Sequence, residues 1–265
     1  METRSKAAGP DKRTSGGTWW KVPLPLFSAV QFLLIGLLAP MSAPLQADPY
    51  SDARAAQARG DYSSAARIYR TLAGQGNVGA LTQLGILYRT GRGVPRNYEE
   101  AAKLLRRAAA LGSSNAQYHL GDLYLRGLGV EQDLLEAARW YTRAAEQGHA
   151  IAQYGLGILY KLGGGVRQSS TRAMKWFSRS AVQGVPEAQY ELGMLYSSGS
   201  GASRNYVEAY KWILLARNGA GSSRTRTAAA EAMLRLEGRM SPQQIGQARD
   251  QARSWRAANE GGGAA

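Results

Sequence analysis

Cysteine is absent from all 265 residues. Disulfides, thiol nucleophiles and cysteine-ligated zinc are therefore excluded. Histidine occurs only twice, as His119 and His149. That is too few for a histidine-rich metal site, and no metal or other cofactor is expected. Phenylalanine is scarce, at 3 residues, while tyrosine reaches 14, so aromatic packing rests mainly on rings that carry a hydroxyl. Negative charge is also short: 33 Lys plus Arg stand against 19 Asp plus Glu, a net charge of +14. Such a balance permits nucleic acid, anionic lipid or acidic polysaccharide as partners. The basic residues are scattered, however, and no run of five Lys or Arg occurs. A nucleic-acid interface needs a patch or stripe. The expectation is a solvated basic surface and no nucleic-acid partner.

A long unbroken hydrophobic run is missing too. The most apolar stretch, Leu24 to Leu38, is interrupted by Pro25 and Gln31. It is shorter than the roughly 20 residues that span a bilayer. Arg4, Lys6, Lys12, Arg13 and Lys21 precede it, and small residues lead from it to Ala47 and Asp48. A positive leader, a short apolar segment and small residues before a polar start is the order of a secretory signal peptide. Residues 1–47 are therefore expected to be cleaved after Ala47, with the remainder exported to the periplasm. The alternative is an uncleaved segment that anchors the chain in the inner membrane with the rest facing the periplasm. No cysteine follows the apolar stretch, so a lipid anchor is excluded.

What the chain has in abundance is repetition. Gly85, Gly121, Gly157 and Gly193 stand 36 residues apart. Leu84, Leu120, Leu156 and Leu192 keep that step, as do Tyr88, Tyr124, Tyr160 and Tyr196, and Ala80, Ala116, Ala152 and Ala188. A fixed period of this length signals stacked structural units. In the second unit Ala116, Leu120, Leu123 and Tyr124 fall on one helical face, predicting a first helix from about Ala116 to Tyr124. Gly121 adjoins that face. Mid-helix glycine costs roughly 1 kcal/mol against alanine, so its recurrence predicts a neighbouring helix too close for a Cβ. The helix ends at Gly127 and Gly129, matched by Gly91/Gly93, Gly163/Gly165 and Gly199/Gly201, where glycine allows the positive φ of a helix stop. These glycines follow a helix and lack the Lys-Ser/Thr ending, so they do not form a phosphate loop.

A second helix then begins at Asn97, Asp133, Ser169 and Asn205. All four are residues whose side chains cap helix N-termini. Asp133 is replaced by Asn or Ser elsewhere, so the position needs a cap and not a proton donor. Trp140, Trp176 and Trp212, with Leu104 in the first unit, are expected as core anchors. The units span 80–115, 116–151, 152–187 and 188–222. Residues 48–79 read as a degenerate opening helix pair around Gly60-Asp61, with Ala53, Ala56 and Ala58 on its first apolar face. Residues 223–257 read as two closing helices, the second opened by a Ser241-Pro242-Gln243-Gln244 capping box. Terminal units of such arrays are atypical because one side faces solvent. Residues 258–265 are expected as a disordered tail.

The unit A-x-x-x-L-G-x-x-Y-x-x-G-x-G-V-x-x-D/N-x-x-x-A-x-x-W-x-x-x-A-A-x-x-G resembles the Sel-one-like repeat (SLR) family, relatives of tetratricopeptide repeats. The resemblance covers residues 80–219. It implies an all-α solenoid, a right-handed superhelix of antiparallel helix pairs with a concave groove. It also implies a non-enzymatic adaptor or scaffold, often in bacterial envelopes, signalling or quality control. Cysteine-rich relatives are linked to β-lactam binding or hydrolysis, but the paired cysteines they carry are absent here.

In such arrays the first helix of each pair lines the groove, which nominates the face opposite its buried stripe. That face holds Tyr118, Tyr154 and Tyr190, then Ile86, Asp122, Ile158 and Met194, then Arg89 and Lys161. Tyr and Met suit protein contacts, so the expected partner is a protein or peptide. Eight arginines between Arg217 and Arg256 make the C-terminal end the most basic region, so an anionic envelope polysaccharide is the alternative partner. An enzyme, for example one acting on cell-wall material, needs a nucleophile–base pair or close carboxylates. Neither His119 nor His149 has such a partner at a recognisable spacing, and no catalytic residue is expected.

Overall fold

The computed structural model describes residues 48–219 and 221–260. The proposed signal peptide, and the last five residues of the expected tail, lie outside that range. Twelve helices and no strand occur among the described residues. They are α1 (Pro49–Ala58), α2 (Tyr62–Gly74), α3 (Val78–Thr90), α4 (Tyr98–Ala110), α5 (Ser114–Arg126), α6 (Leu134–Glu146), α7 (Ala150–Leu162), α8 (Ser170–Val182), α9 (Pro186–Ser198), α10 (Tyr206–Asn218), α11 (Ser223–Glu237) and α12 (Pro242–Glu260). Each helix packs on its successor from α1 to α11, and α12 returns to pack on α10. The result is an α-solenoid of stacked helical hairpins.

Local chemistry explains the boundaries. Asn97, Asp133, Ser169 and Asn205 each accept a backbone N–H from the first turn of the helix they precede. The odd-numbered helices start before the apolar pattern does. Asn77, Ser113 and His149 cap α3, α5 and α7, accepting the N–H groups of Ala80, Ala116 and Ala152. Val185 offers no such group, and Pro186 in the first turn of α9 takes over that end. The capping box at α12 is formed in both directions. Ser241 N–H donates to Gln244 Oε1 at 2.9 Å, and Gln244 N–H donates to Ser241 Oγ at 3.2 Å. The helix it opens runs on to Glu260, so residues 258–260 are helical and not part of a loose tail. At the other end Ala58 is exposed, and only Ala53 and Ala56 of α1 are buried.

The glycine series at the centre of each first helix closes the hairpin. A Cβ at Gly121 would lie 2.7 Å from the Tyr141 ring, at Gly157 2.6 Å from Phe177, at Gly85 2.8 Å from Leu105 and at Gly193 2.5 Å from Ile213. The residues that press on these glycines are therefore the ones immediately after the tryptophan position. That shifts the expected core anchor by one residue. Leu105, Phe177 and Ile213 are fully buried and Tyr141 nearly so. Trp140 and Trp176 sit half-buried at the core edge, with Arg143 and Arg179 over their rings at 4.5 and 4.7 Å. Trp212 alone is buried, where α12 brings Trp255 against it edge-on at 5.8 Å.

Successive hairpins are joined by two further devices. The second glycine of each helix stop lies on the backbone that starts the second helix of the preceding unit. A Cβ at Gly129 would stand 2.2 Å from the Tyr98 carbonyl carbon, and one at Gly165 2.0 Å from the Leu134 carbonyl oxygen. Beside this, Gln117 donates to the Ala109 carbonyl at 3.2 Å and accepts from Gln147 at 2.7 Å. Gln153 repeats the pattern with Ala145 and Gln183, and Gln189 reaches Ala181. Gln117, Gln153 and Gln189 are buried, and each connects the second helix of one unit to the hairpin that follows.

Candidate interaction site

The nominated face divides into two parts. On α3 and α5 it is closed by internal bonds. Asp122 is buried, with Oδ2 3.0 Å from Arg89 of the previous unit and Oδ1 2.7 Å from Arg126 one turn on. This corrects the expectation that Asp122 and Arg89 line an open surface: the carboxylate is spent on two guanidinium groups, and Arg89 is held by it. The hydrogen bond to Asp122 raises the Arg126 pKa further. Tyr118 is half-buried, stacked on Tyr141 at 5.9 Å and on His149 at 4.9 Å. Burial, and then the nearby Asp122, push its hydroxyl pKa up, so it stays protonated. Ile86 is half-buried on the same helix row.

On α7 and α9 the face is open. Tyr154 and Tyr190 line a cavity of about 470 Å³ with Glu187 and Glu191 of α9. Its far wall is the start of α11, through Ser222, Arg224, Thr225 and Ala228. Tyr154 is held by packing its ring on Phe177 at 6.0 Å. Glu187 is fixed by the Ser222 N–H at 3.3 Å and the Thr225 hydroxyl at 3.1 Å. Lys161 donates to Glu191 at 2.6 Å, joining α7 to α9. Burial, then Glu191 and Glu187, raise the Tyr154 pKa. Ile158 and Met194 are half-buried, packed on the cores that flank this region. Of the residues singled out from sequence, the structure thus gathers Tyr154 and Tyr190 into one cavity, holds Lys161 through Glu191, and leaves Tyr118, Ile86, Arg89 and Asp122 outside it. Glu187 and Glu191 were overlooked, although Glu187 stands three residues before Tyr190 and Glu191 four residues after Glu187, so one turn links each to the next.

His149 spends Nδ1 as the cap of α7. His119 is half-buried with its Nδ1 enclosed and unpartnered, and burial, then Arg89, hold its pKa down to about 3. What the cavity offers is two phenol rings, two oriented carboxylates and one guanidinium, a set suited to holding a side chain.

The fold and this surface define a helical-repeat solenoid of the kind that presents a face to a partner. The Sel1 repeat family model matches at residues 78–113, 114–149, 150–185 and 186–219, more than half of the chain. The chain belongs to the Sel1 repeat family. Among solved structures, a Sel1 repeat protein from Oxalobacter formigenes is similar at 27% identity and a TM-score of 0.64, over 82% of this chain and 86% of that one. A protective antigen of uropathogenic Escherichia coli with an SLR fold aligns at 23% identity over 78% of this chain and 68% of that one, with a TM-score of 0.32. No curated protein matches the chain. Sel1 repeat proteins generally mediate protein–protein interaction, and the family is typically a non-enzymatic scaffold.

Proposed function

We propose that this protein is a non-enzymatic scaffold of the bacterial cell envelope that holds a protein or peptide partner on the first-helix face of its repeats. The observation that carries the reading is the cavity between α7, α9 and α11, where Tyr154 and Tyr190 stand beside Glu187 and Glu191. Tyrosine offers a large contact area with few rotatable bonds to immobilise. Carboxylates already fixed by Ser222, Thr225 and Lys161 lose little freedom on binding. A peptide side chain with an apolar stem and a cationic or donor tip suits that set. The leader-like residues 1–47 support export, with the repeats working in the periplasm either free or held at the inner membrane. The test is photo-crosslinking in living cells with a reactive amino acid at position 154, and a control at the exposed Glu146 on α6. A discrete protein adduct from position 154 alone is expected. Adducts at neither position, combined with salt-released retention of the purified protein on an anionic-glycan column, would replace the protein partner with an envelope polysaccharide.

A further inference from the structure

The glutamine relay stops one link short. Gln117 Oε1 accepts from Gln147, and Gln153 Oε1 from Gln183, each at 2.7 Å. Gln189 is the next member of the series, and its Nε2 is used as theirs are, donating to the Ala181 carbonyl at 3.1 Å. The donor for its oxygen belongs 36 residues beyond Gln183, and Gly219 stands there. The backbone departs at the same point. Gln147 and Gln183 continue the helical turn with ψ 5°, whereas Gly219 is extended, with φ −76° and ψ 172°. Nothing among the described residues replaces the missing donor, so Gln189 Oε1 has no hydrogen bond to any of them. Gln189 is only 3% exposed. Its oxygen is nevertheless not sealed in, unlike His119 Nδ1. It opens on a cavity of about 490 Å³ that Gln189 lines together with Gly219. A buried amide oxygen calls for a donor, and whatever fills this cavity has to supply it.

The rest of the lining indicates what kind of group fits. It holds no carboxylate, and its one cation, Arg256, already has a partner. A charged ligand finds no free counter-charge there, which favours a neutral one. Asn218 supplies the complement to Gln189. Its Oδ1 accepts from Arg217 at 3.3 Å, and its Nδ2 has no acceptor among the described residues. One free acceptor and one free donor in a single cavity match a carboxamide, which carries both functions. Leu215 and the half-buried Trp255, packed edge-on against Trp212, offer apolar wall for an aliphatic stem. The chain itself shows which amide such an oxygen takes: Gln147 and Gln183 place a primary carboxamide on the corresponding atom of the two preceding units. We infer that this cavity binds the glutamine side chain of a partner polypeptide, its N–H donating to Gln189 Oε1, its carbonyl accepting from Asn218 Nδ2 and its stem lying against Leu215 and Trp255. The site shares no lining residue with the α7–α9–α11 cavity and does not rest on the reading given for it.

The experiment titrates the full, isotope-labelled chain with the blocked tripeptide acetyl-Leu-Gln-Leu-methylamide and follows the indole N–H signal of Trp255 by NMR, identified by its loss in Trp255→Phe. A saturable shift is expected. The same peptide with Met in place of Gln keeps the stem and loses the amide, and should bind about fivefold more weakly or worse, the worth of an unmade hydrogen bond. Gln189→Leu, the residue type at Leu81 in the first repeat, and Asn218→Ala, on an exposed side chain, should each weaken the Gln peptide by a similar factor. Unchanged helical circular dichroism serves as the folding control, and Asn218→Ala carries the test if Gln189→Leu does not fold. Arg235→Ala, outside the lining, should leave affinity unchanged. Equal binding of the Gln and Met peptides would overturn the assignment, as would affinity that survives in Asn218→Ala. A Trp255 shift with N-acetylglucosamine and none with the Gln peptide would overturn it in favour of a sugar, whose acetamido group is also an amide and whose ring can stack on an indole.

Discussion

Replacing Gly193 and Gly246 by alanine, one at a time, tests why the central glycines are there. Both lie inside helices, α9 and α12, with ordinary helical backbone angles. Alanine gains about 1 kcal/mol of helix propensity over glycine at either site. At Gly246 nothing lies within 4 Å of the new methyl group, so the gain should stand. At Gly193 the methyl group meets Ile213 Cγ1 at 2.5 Å and the Ala209 carbonyl oxygen at 2.9 Å. The isoleucine is fully buried and the carbonyl belongs to the α10 backbone, so neither yields by a simple rotation. Overpacking of this kind costs about 1–3 kcal/mol, and a backbone obstacle puts it in the upper part of that range. The net effect is a loss of about 1–2 kcal/mol at Gly193. At about 2–4 °C per kcal/mol for a chain of this size, Gly193→Ala lowers the thermal midpoint by about 2–8 °C and Gly246→Ala raises it by about 2–4 °C. Thermal melts followed by circular dichroism at 222 nm provide the assay. Shifts of the same sign, or no shift at Gly193, would refute the close-approach argument for the whole glycine series.

Acid should weaken the fold through its two histidines before the carboxylates titrate. Both have depressed pKa values in the folded chain, His119 to about 3 and His149 in the same direction, chiefly through burial. The unfolded chain then binds more protons, so stability is complete above the unfolded pKa near 6.5 and declines as pH falls, by at most about 1.4 kcal/mol per pH unit for each group. Melts between about pH 7 and about pH 5 should show this slope. His119→Gln, the residue type at Gln83 in the first repeat, and His149→Asn, which keeps a cap, should each flatten it. Gln153→Leu should cost about 1 kcal/mol, because it removes two inter-helix hydrogen bonds while the exposed Gln183 keeps the Arg179 carbonyl and the Ala145 carbonyl keeps the Gly148 N–H. Denaturant titration would show it as a lower midpoint at unchanged slope, and an unaltered midpoint would mean that the glutamine relay is decorative.

Much of the architecture could be read from spacing because the repeated positions carry rules of geometry that few residues meet. Only glycine fits at 85, 121, 157 and 193, and only short polar side chains cap α4, α6, α8 and α10, so both stayed visible in a single chain. The opposing wall of the hairpin did not. Leu105, Tyr141, Phe177 and Ile213 fill one slot with four different side chains, since a buried slot asks for volume rather than identity. The tryptophans beside them drew the core assignment instead, and their arginine-covered rings show how an amphipathic side chain serves at an edge. The glutamine relay was hidden for another reason: the first repeat has Leu81 and Leu111 where the second has Gln117 and Gln147. The candidate site was half legible. Tyr154 and Tyr190 lie together as the helical period requires, whereas the wall supplied by α11 belongs to no repeat and could not be placed by periodicity. The fate of Asp122 depends on Arg89 in a different unit, and spacing within one unit does not reveal it.

The glycine that rests on the preceding unit also bears on how such a chain can change length. Gly93, Gly129, Gly165 and Gly201 each touch the backbone at Tyr62, Tyr98, Leu134 and Ser170, always the same distance back along the chain. Every unit therefore carries half of the joint behind it and half of the joint ahead. Loss or gain of one whole unit rejoins matching halves, and the lengthened or shortened rod is as well knit as before. Gain of two or three residues within a unit pushes a side chain into the space that glycine leaves, or draws the joint apart. An array built this way varies its reach in whole steps, and its two ends, with their own surfaces, travel together or apart by one unit at a time.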